Sequence, residues 1–115
     1  MDNQLEQPKP GIPVAEAIAC PSLITYQESS VVSRQILKRA SGNVTLFAFD
    51  ADQGLSEHTT PFDALVHVLE GEVEIVIAGT PLRAKTGDLV VLPAQQPHAL
   101  RAITKFKMLL TMIRS

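Results

Sequence analysis

The sequence predicts a single-domain, all-β protein. Short runs of apolar and β-branched residues recur from Val31 onward, and turn signals separate them about every 8 to 12 residues. No stretch shows the spacing of apolar residues that a long amphipathic helix requires. A chain of 115 residues is long enough for one core and too short for two domains. Periodicity alone leaves a sandwich, a closed barrel and a jelly roll open.

The first 30 residues are predicted to form an extended arm. Four of the eight prolines lie within residues 1–22, and proline fixes φ and lacks an N–H, so neither a long helix nor a central strand fits there. One helical turn is predicted over Val14 to Ala19. The arm lies over the body of the domain, lies over a partner subunit, or is loose.

Residues 31–115 are predicted to form the domain itself, with about eight strands. In Glu72–Ile77 apolar and acidic residues alternate, as in a strand with one buried face. Gly71, Gly79 and Gly87 are expected in turns that need positive φ, and Ala51–Pro61 is expected to be a loop. The strands are predicted over Val31–Arg39, Val44–Asp50, Asp63–Leu69, Glu72–Ile77, Leu82–Lys85, Leu89–Leu92, Ala99–Ile103 and Lys107–Ile113.

Charge and composition exclude several classes of function. The net charge is −2, which gives no support for nucleic-acid binding because phosphate recognition needs clustered basic residues. No apolar run is long enough for a transmembrane helix, and the polar N-terminus does not resemble a signal peptide. Cys20 is the only cysteine, so no disulfide can form within the chain. We expect a cytoplasmic protein that contacts neither nucleic acid nor membrane.

Two of the three histidines, His58 and His98, stand where strands meet loops. In a closed β structure, non-adjacent strands can bring such residues together inside the barrel. Two imidazoles that face one cavity would suit a borderline transition metal.

The segments from Gly54 to Gly79 and from Gly87 to Ala102 resemble the two signature motifs of the cupins. In the first motif His58 takes the first histidine place, Thr60 the second histidine place and Ala64 the glutamate place, and the motif's closing glycine follows at Gly71.

In the second motif Gly87, Pro93 and His98 fall in register, whereas Gln95 replaces a glycine and Ala102 an asparagine. The resemblance covers about residues 31 to 113 and implies a jelly-roll barrel of the cupin 2 conserved-barrel family. It does not specify a function, because cupins include enzymes, storage proteins and sensing domains.

The resemblance implies a metal site of which only His58 and His98 remain. The metal would be a divalent ion such as Fe, Mn, Ni, Zn or Cu, although two imidazoles are one ligand short of an ordinary catalytic site. Asp63, His67 and Glu57 are weaker candidates. Asp63 and His67 share the strand face opposite Ala64, so they would point inward only if a β-bulge near Pro61 shifted the register.

The predicted ligand pocket combines the motif positions with the inward face of the third predicted strand. Alternation places Ala64, Val66 and Val68 inside the barrel, while Phe62 stands beside the pocket mouth. The full set is His58, His98, Thr60, Ala64, Val66 and Phe62. Met108 and Met112 share a face with Leu110 and are interpreted as core or dimer contacts, not as metal ligands.

Three functions remain open. The first is the binding of a small molecule, a divalent metal or both in the barrel. The second is a metal-dependent oxygenase or isomerase that uses His58 and His98. The third is a dimeric structural or interaction module without pocket chemistry. A homodimer is expected in each case, because Val44–Phe49 and Lys107–Ile113 are apolar on both faces.

Overall fold

The computed structural model describes residues 11–114, and these residues fold into two antiparallel β-sheets that face each other. The strands are β1 (Val31–Arg39), β2 (Gly42–Phe49), β3 (Gly54–His58), β4 (Asp63–Glu70), β5 (Glu72–Ile77), β6 (Thr80–Lys85), β7 (Leu89–Leu92), β8 (His98–Ala102) and β9 (Phe106–Ile113).

The strand order confirms the jelly-roll arrangement. One sheet has the order β1-β2-β9-β4-β7 and the other has the order β3-β8-β5-β6. Six of the eight connections between consecutive strands pass from one sheet to the other, and only the β1–β2 and β5–β6 pairs stay within one sheet, as in double-sheet jelly rolls. The His58 strand lies in the second sheet, opposite the inner face of β9.

The main core fills the space between the two sheets. Val66 and Val68 of β4 face Val73 and Ile75 of β5, and all four side chains are fully buried. Alternation along β4 also buries Ala64. The predicted inward parity of Ala64, Val66 and Val68 is confirmed.

One predicted loop was wrong. Residues 54–58, which fall inside the expected loop Ala51–Pro61, form β3 and pair with β8. The local sequence GLSEH hides this strand, because β3 is an exposed edge strand that contains no β-branched residue. The eight strands that were predicted are all present, with ends shifted by no more than two residues.

The described part of the N-terminal arm lies on the outer face of the first sheet. Ile24 is buried against Leu46 and Ala48 of β2. The Nζ of Lys107 donates a 2.7 Å hydrogen bond to the Pro21 carbonyl, and the Tyr26 hydroxyl donates one of 2.7 Å to Glu70. The arm therefore covers, within one chain, part of the second apolar strand face that led to the homodimer expectation.

The single helical turn lies later in the arm than the sequence suggests. Val14 to Ala19 is not helical, and a 3₁₀ turn occupies Cys20–Leu23 instead. Pro21 takes one of the first positions of this turn, where its missing N–H costs nothing. The first ten residues of the predicted arm, and Ser115, lie outside the described residues. Within residues 11–114, no helix is long and apolar enough to cross a membrane.

Candidate functional site

A β-bulge in β3 places His58 opposite His98. Leu55 pairs with Leu100 and His58 pairs with His98, so three residue steps on β3 match two on β8. Without the extra residue, alternation from the inward Leu55 would direct Glu57 into the barrel and His58 outward. The bulge reverses this parity and brings the two rings to a centroid distance of 4.4 Å, with their planes at 70°.

Each ring is held by a backbone carbonyl two residues before it. The Nδ1 of His58 lies 2.8 Å from the Ser56 oxygen, and the Nδ1 of His98 lies 3.2 Å from the Gln96 oxygen. A carbonyl can only accept, so both Nδ1 atoms carry the proton. In the neutral rings the Nε2 atoms therefore keep free lone pairs, which is the tautomer that metal-binding histidines use.

The two histidines differ in exposure. His98 is buried in the barrel wall, whereas His58 is exposed at the end of β3. Burial, and then the proximity of His58, lower the pKa of His98, against a smaller raising effect of its bond to Gln96. His98 is therefore a neutral imidazole at neutral pH.

Both rings line a cavity of about 30 Å³ between the sheets. That volume holds a water molecule or two and no more. Apart from the histidines, the cavity contacts mostly apolar side chains. The complete lining is Leu55, His58, Thr60, Ala64, Leu92, His98, Leu100, Met108, Leu110 and Met112.

The residues at the two altered motif positions offer no metal ligand. Thr60 lines the cavity, but its hydroxyl donates to the Phe62 carbonyl at 3.1 Å and accepts from the Phe62 N–H at 3.2 Å. Ala64 has no donor atom. The ligand set that the cupin resemblance implies is therefore absent at two of its four places.

The three weaker candidates do not join the histidine pair. Asp63 accepts a 2.9 Å hydrogen bond from the Ala94 N–H and so fastens the loop that precedes His98. His67 pairs with Leu89 on the outer side of the first sheet, and Glu57 is exposed on β3. The register shift occurs in β3 and not near Pro61, so it redirects His58 instead of these side chains. Among the described residues, no three His, Cys, Asp or Glu side chains group as a metal site.

The other predicted pocket residues divide into two groups. Ala64 contacts the cavity, while Val66 is buried deeper in the core and does not. Phe62 is also outside the lining, and its ring lies under the Arg114 guanidinium at 5.0 Å.

Two methionines that line the cavity were not selected from the sequence as pocket residues. Met108 and Met112 project from the inner face of β9 and both line the cavity. Alternation along β9 places them on one face, but only the packing of the opposite sheet shows that this face meets the histidines. Met112 is also the direct neighbour of Ala64 across the β4–β9 pair.

A two-sheet jelly roll with two histidines that face each other at a cavity between the sheets defines a cupin-type barrel. The family model described as "Cupin domain" matches residues 45–114, more than half of the chain, so the protein belongs to the cupin family. No curated protein matches the chain.

Solved structures support the same assignment. A conserved protein of unknown function from Streptococcus pyogenes is 31% identical, with a TM-score of 0.87 over 91% of this chain and 92% of that one. A cupin superfamily protein from Desulfitobacterium hafniense is 26% identical, with a TM-score of 0.85 over 91% and 96%. A cupin 2 conserved barrel domain protein from Leptotrichia buccalis is 36% identical, with a TM-score of 0.79 over 82% and 46%.

Proposed function

We propose that the protein binds one transition-metal ion between His58 and His98. The observation that carries the proposal is the pair of rings 4.4 Å apart, each with its Nδ1 bonded to a backbone carbonyl. The two Nε2 lone pairs are then available without any change of tautomer, and imidazole nitrogen is a good ligand for transition metals.

The size of the cavity favours an ion over an organic molecule. Pockets for organic ligands are usually about 300–1,000 Å³, whereas this cavity measures about 30 Å³. A metal ion with a bound water fits such a space. An organic ligand would need several of the lining leucines to move.

Binding is better supported than catalysis. A catalytic metal site normally has three protein ligands and an open position, and Thr60 and Ala64 remove the ligands that the family motif would supply. An oxygenase or isomerase that uses His58 and His98 is therefore the less supported alternative.

Metal titration of single-histidine variants tests this function. Wild-type protein, His58→Ala and His98→Ala are titrated by calorimetry with Zn²⁺, Ni²⁺, Cu²⁺ and, under reductant, Cu⁺. At least one ion should bind with a stoichiometry of about one, and each variant should lose most of that affinity because a single imidazole is a weak site. His67→Ala, which alters the outer face, is the matched control and should bind as wild type does. Absence of binding for every ion, or equal binding by His98→Ala, would overturn the proposal.

We also propose that the protein is a homodimer, joined through an outer apolar patch formed by Leu65, His67, Leu89 and Val91. These side chains pair across β4 and β7, and Leu89 and Val91 are 62% and 60% exposed. β7 is an edge strand, and edge strands in monomers are usually protected by charged residues. The patch carries no Lys, Arg, Asp or Glu, so two copies can meet across a two-fold axis without like-charge repulsion.

The mass of the particle in solution tests the dimer. Light scattering after size exclusion should give twice the chain mass for wild type and the single mass for Val91→Lys. Val14→Lys is the control, because Val14 is 91% exposed but lies outside the patch. A monomeric wild type, or a Val91→Lys variant that remains dimeric, would contradict this interface.

A further inference from the structure

We propose that the ion is monovalent copper and that the thioether of Met112 is its third protein ligand. This inference rests on the proposed function, because it takes His58 and His98 as the other two ligands.

Met112 stands beside Ala64 at the edge of the histidine cavity. Met112 and Ala64 are Cα partners in the β4–β9 pair, and Ala64 lies at the place where the cupin motif has its glutamate. Both side chains line the cavity that contains the histidines. Because Ala64 ends at its Cβ, the space beside it is open to a longer neighbour, and the unbranched methionine side chain can adapt to such a gap.

Few side chains around the cavity carry an atom that can bind a metal. The lining offers two imidazole nitrogens, two thioether sulfurs and one hydroxyl, and the Thr60 hydroxyl is already engaged with the Phe62 backbone. All other lining side chains are Leu or Ala. The ligand set is therefore neutral and combines nitrogen with sulfur.

Such a set selects for a soft ion of low charge. Thioether sulfur favours Cu(I), whereas Mg²⁺, Ca²⁺ and Mn²⁺ prefer oxygen. An apolar cavity without a carboxylate also penalises charge, and the penalty is greater for a divalent than for a monovalent ion. Cu⁺ meets both conditions, and Ag⁺ should behave similarly because it is also soft and monovalent.

Met108, which also lines the cavity, provides the comparison for Met112. It lies four residues before Met112 on the same face of β9, which is about 13 Å along an extended strand. Met108 pairs with Phe47 and Val68 and is fully buried in the deep part of the core. Met112 is only partly buried and stands level with Ala64. One ion held by the histidines should therefore use the sulfur of Met112.

Competition with a chromophoric Cu⁺ chelator, under anaerobic reducing conditions, tests the assignment. The proteins compared are wild type, Met112→Leu, Met108→Leu and the double variant His58→Ala/His98→Ala. Leu and Met have similar volumes, so both leucine variants should stay folded, which their melting temperatures will verify. We expect Met112→Leu to lower Cu⁺ affinity at least about tenfold and to leave Zn²⁺ affinity unchanged, since only the soft ion gains from sulfur. Met108→Leu should lower Cu⁺ affinity clearly less than Met112→Leu does, because Met108 lines the same cavity but lies deeper in the core.

X-ray absorption at the copper edge supplies a second readout. The wild-type spectrum should contain a sulfur scatterer that Met112→Leu lacks. Equal Cu⁺ affinity of Met112→Leu and wild type, or a sulfur signal lost only in Met108→Leu, would overturn the assignment of Met112. Tighter binding of Zn²⁺ than of Cu⁺ would overturn the choice of metal but leave the proposed function intact. Failure of every ion to bind would refute the proposed function itself.

Discussion

Replacing Leu100 by alanine tests whether the barrel interior is packed as tightly as the proposed function requires. Leu100 is 5% exposed, lines the cavity beside His98, and pairs with Leu55 and Ile75 on the neighbouring strands. If these neighbours hold Leu100 in place, its truncation must cost stability. If the barrel is an open pocket, the side chain has few contacts to lose.

The expected cost follows from burial and volume. Leu100→Ala removes apolar groups equivalent to about three methylenes, or about 2.4 kcal/mol of transfer free energy. A residual void of the same size as the existing 30 Å³ cavity adds about 0.7 kcal/mol. The free energy of unfolding should therefore fall by about 3 kcal/mol, and the melting temperature by about 12 °C for a domain of this size.

Urea denaturation followed by circular dichroism measures this loss. Leu37→Ala is the control, because Leu37 is 48% exposed and its truncation should cost less than about 1 kcal/mol. A Leu100→Ala variant as stable as Leu37→Ala would refute the argument. The barrel would then be open in solution, and an organic ligand would become the better-supported occupant.

Three further predictions concern pH and packing. Burial and the proximity of His58 lower the pKa of His98 in the folded protein. As the pH falls below about 6.5, the imidazole is therefore protonated in the unfolded chain before it is protonated in the folded one. Stability should therefore be full above that pH and decline towards pH 5, and His98→Gln should flatten the decline in urea titrations at several pH values. Ile24→Ala should lower the free energy of unfolding by about 2–5 kcal/mol if the arm docks on the sheet. A decrease below about 1 kcal/mol would show that the arm does not dock. Gly71→Ala should destabilise far more than Gly79→Ala in thermal melts: both have positive φ, but only at Gly71 would a Cβ collide with a carbonyl of the β8–β9 loop. Equal losses would contradict that contact.

The local patterns of the sequence predicted most of the fold. Alternation in Glu72–Ile77 and the parity of Ala64, Val66 and Val68 both match the structure. They succeed because a side-chain period of two is a property of each strand alone. The motif register likewise selected His58 and His98, which the structure brings together.

The features that were missed depend on contacts between distant segments. β3 is polar and short, and it is a strand because β8 pairs with it. The bulge that turns His58 inward is visible only when the two strands are aligned. Met112 reads as an ordinary core residue until the opposite sheet places the histidines across the cavity, and the docking of Ile24 on β2 has no local signal in the arm.

Elemental analysis of the untagged protein tests the central claim most directly. The protein is produced with copper supplementation and purified anaerobically without chelators, beside His58→Ala/His98→Ala and His67→Ala. The account predicts about one equivalent of metal per chain in wild type and His67→Ala, with very little in the double variant, because the two imidazoles supply most of the binding energy. Equal metal in the double variant and wild type, or a metal-free wild type, would contradict the assignment of this histidine pair as a metal site.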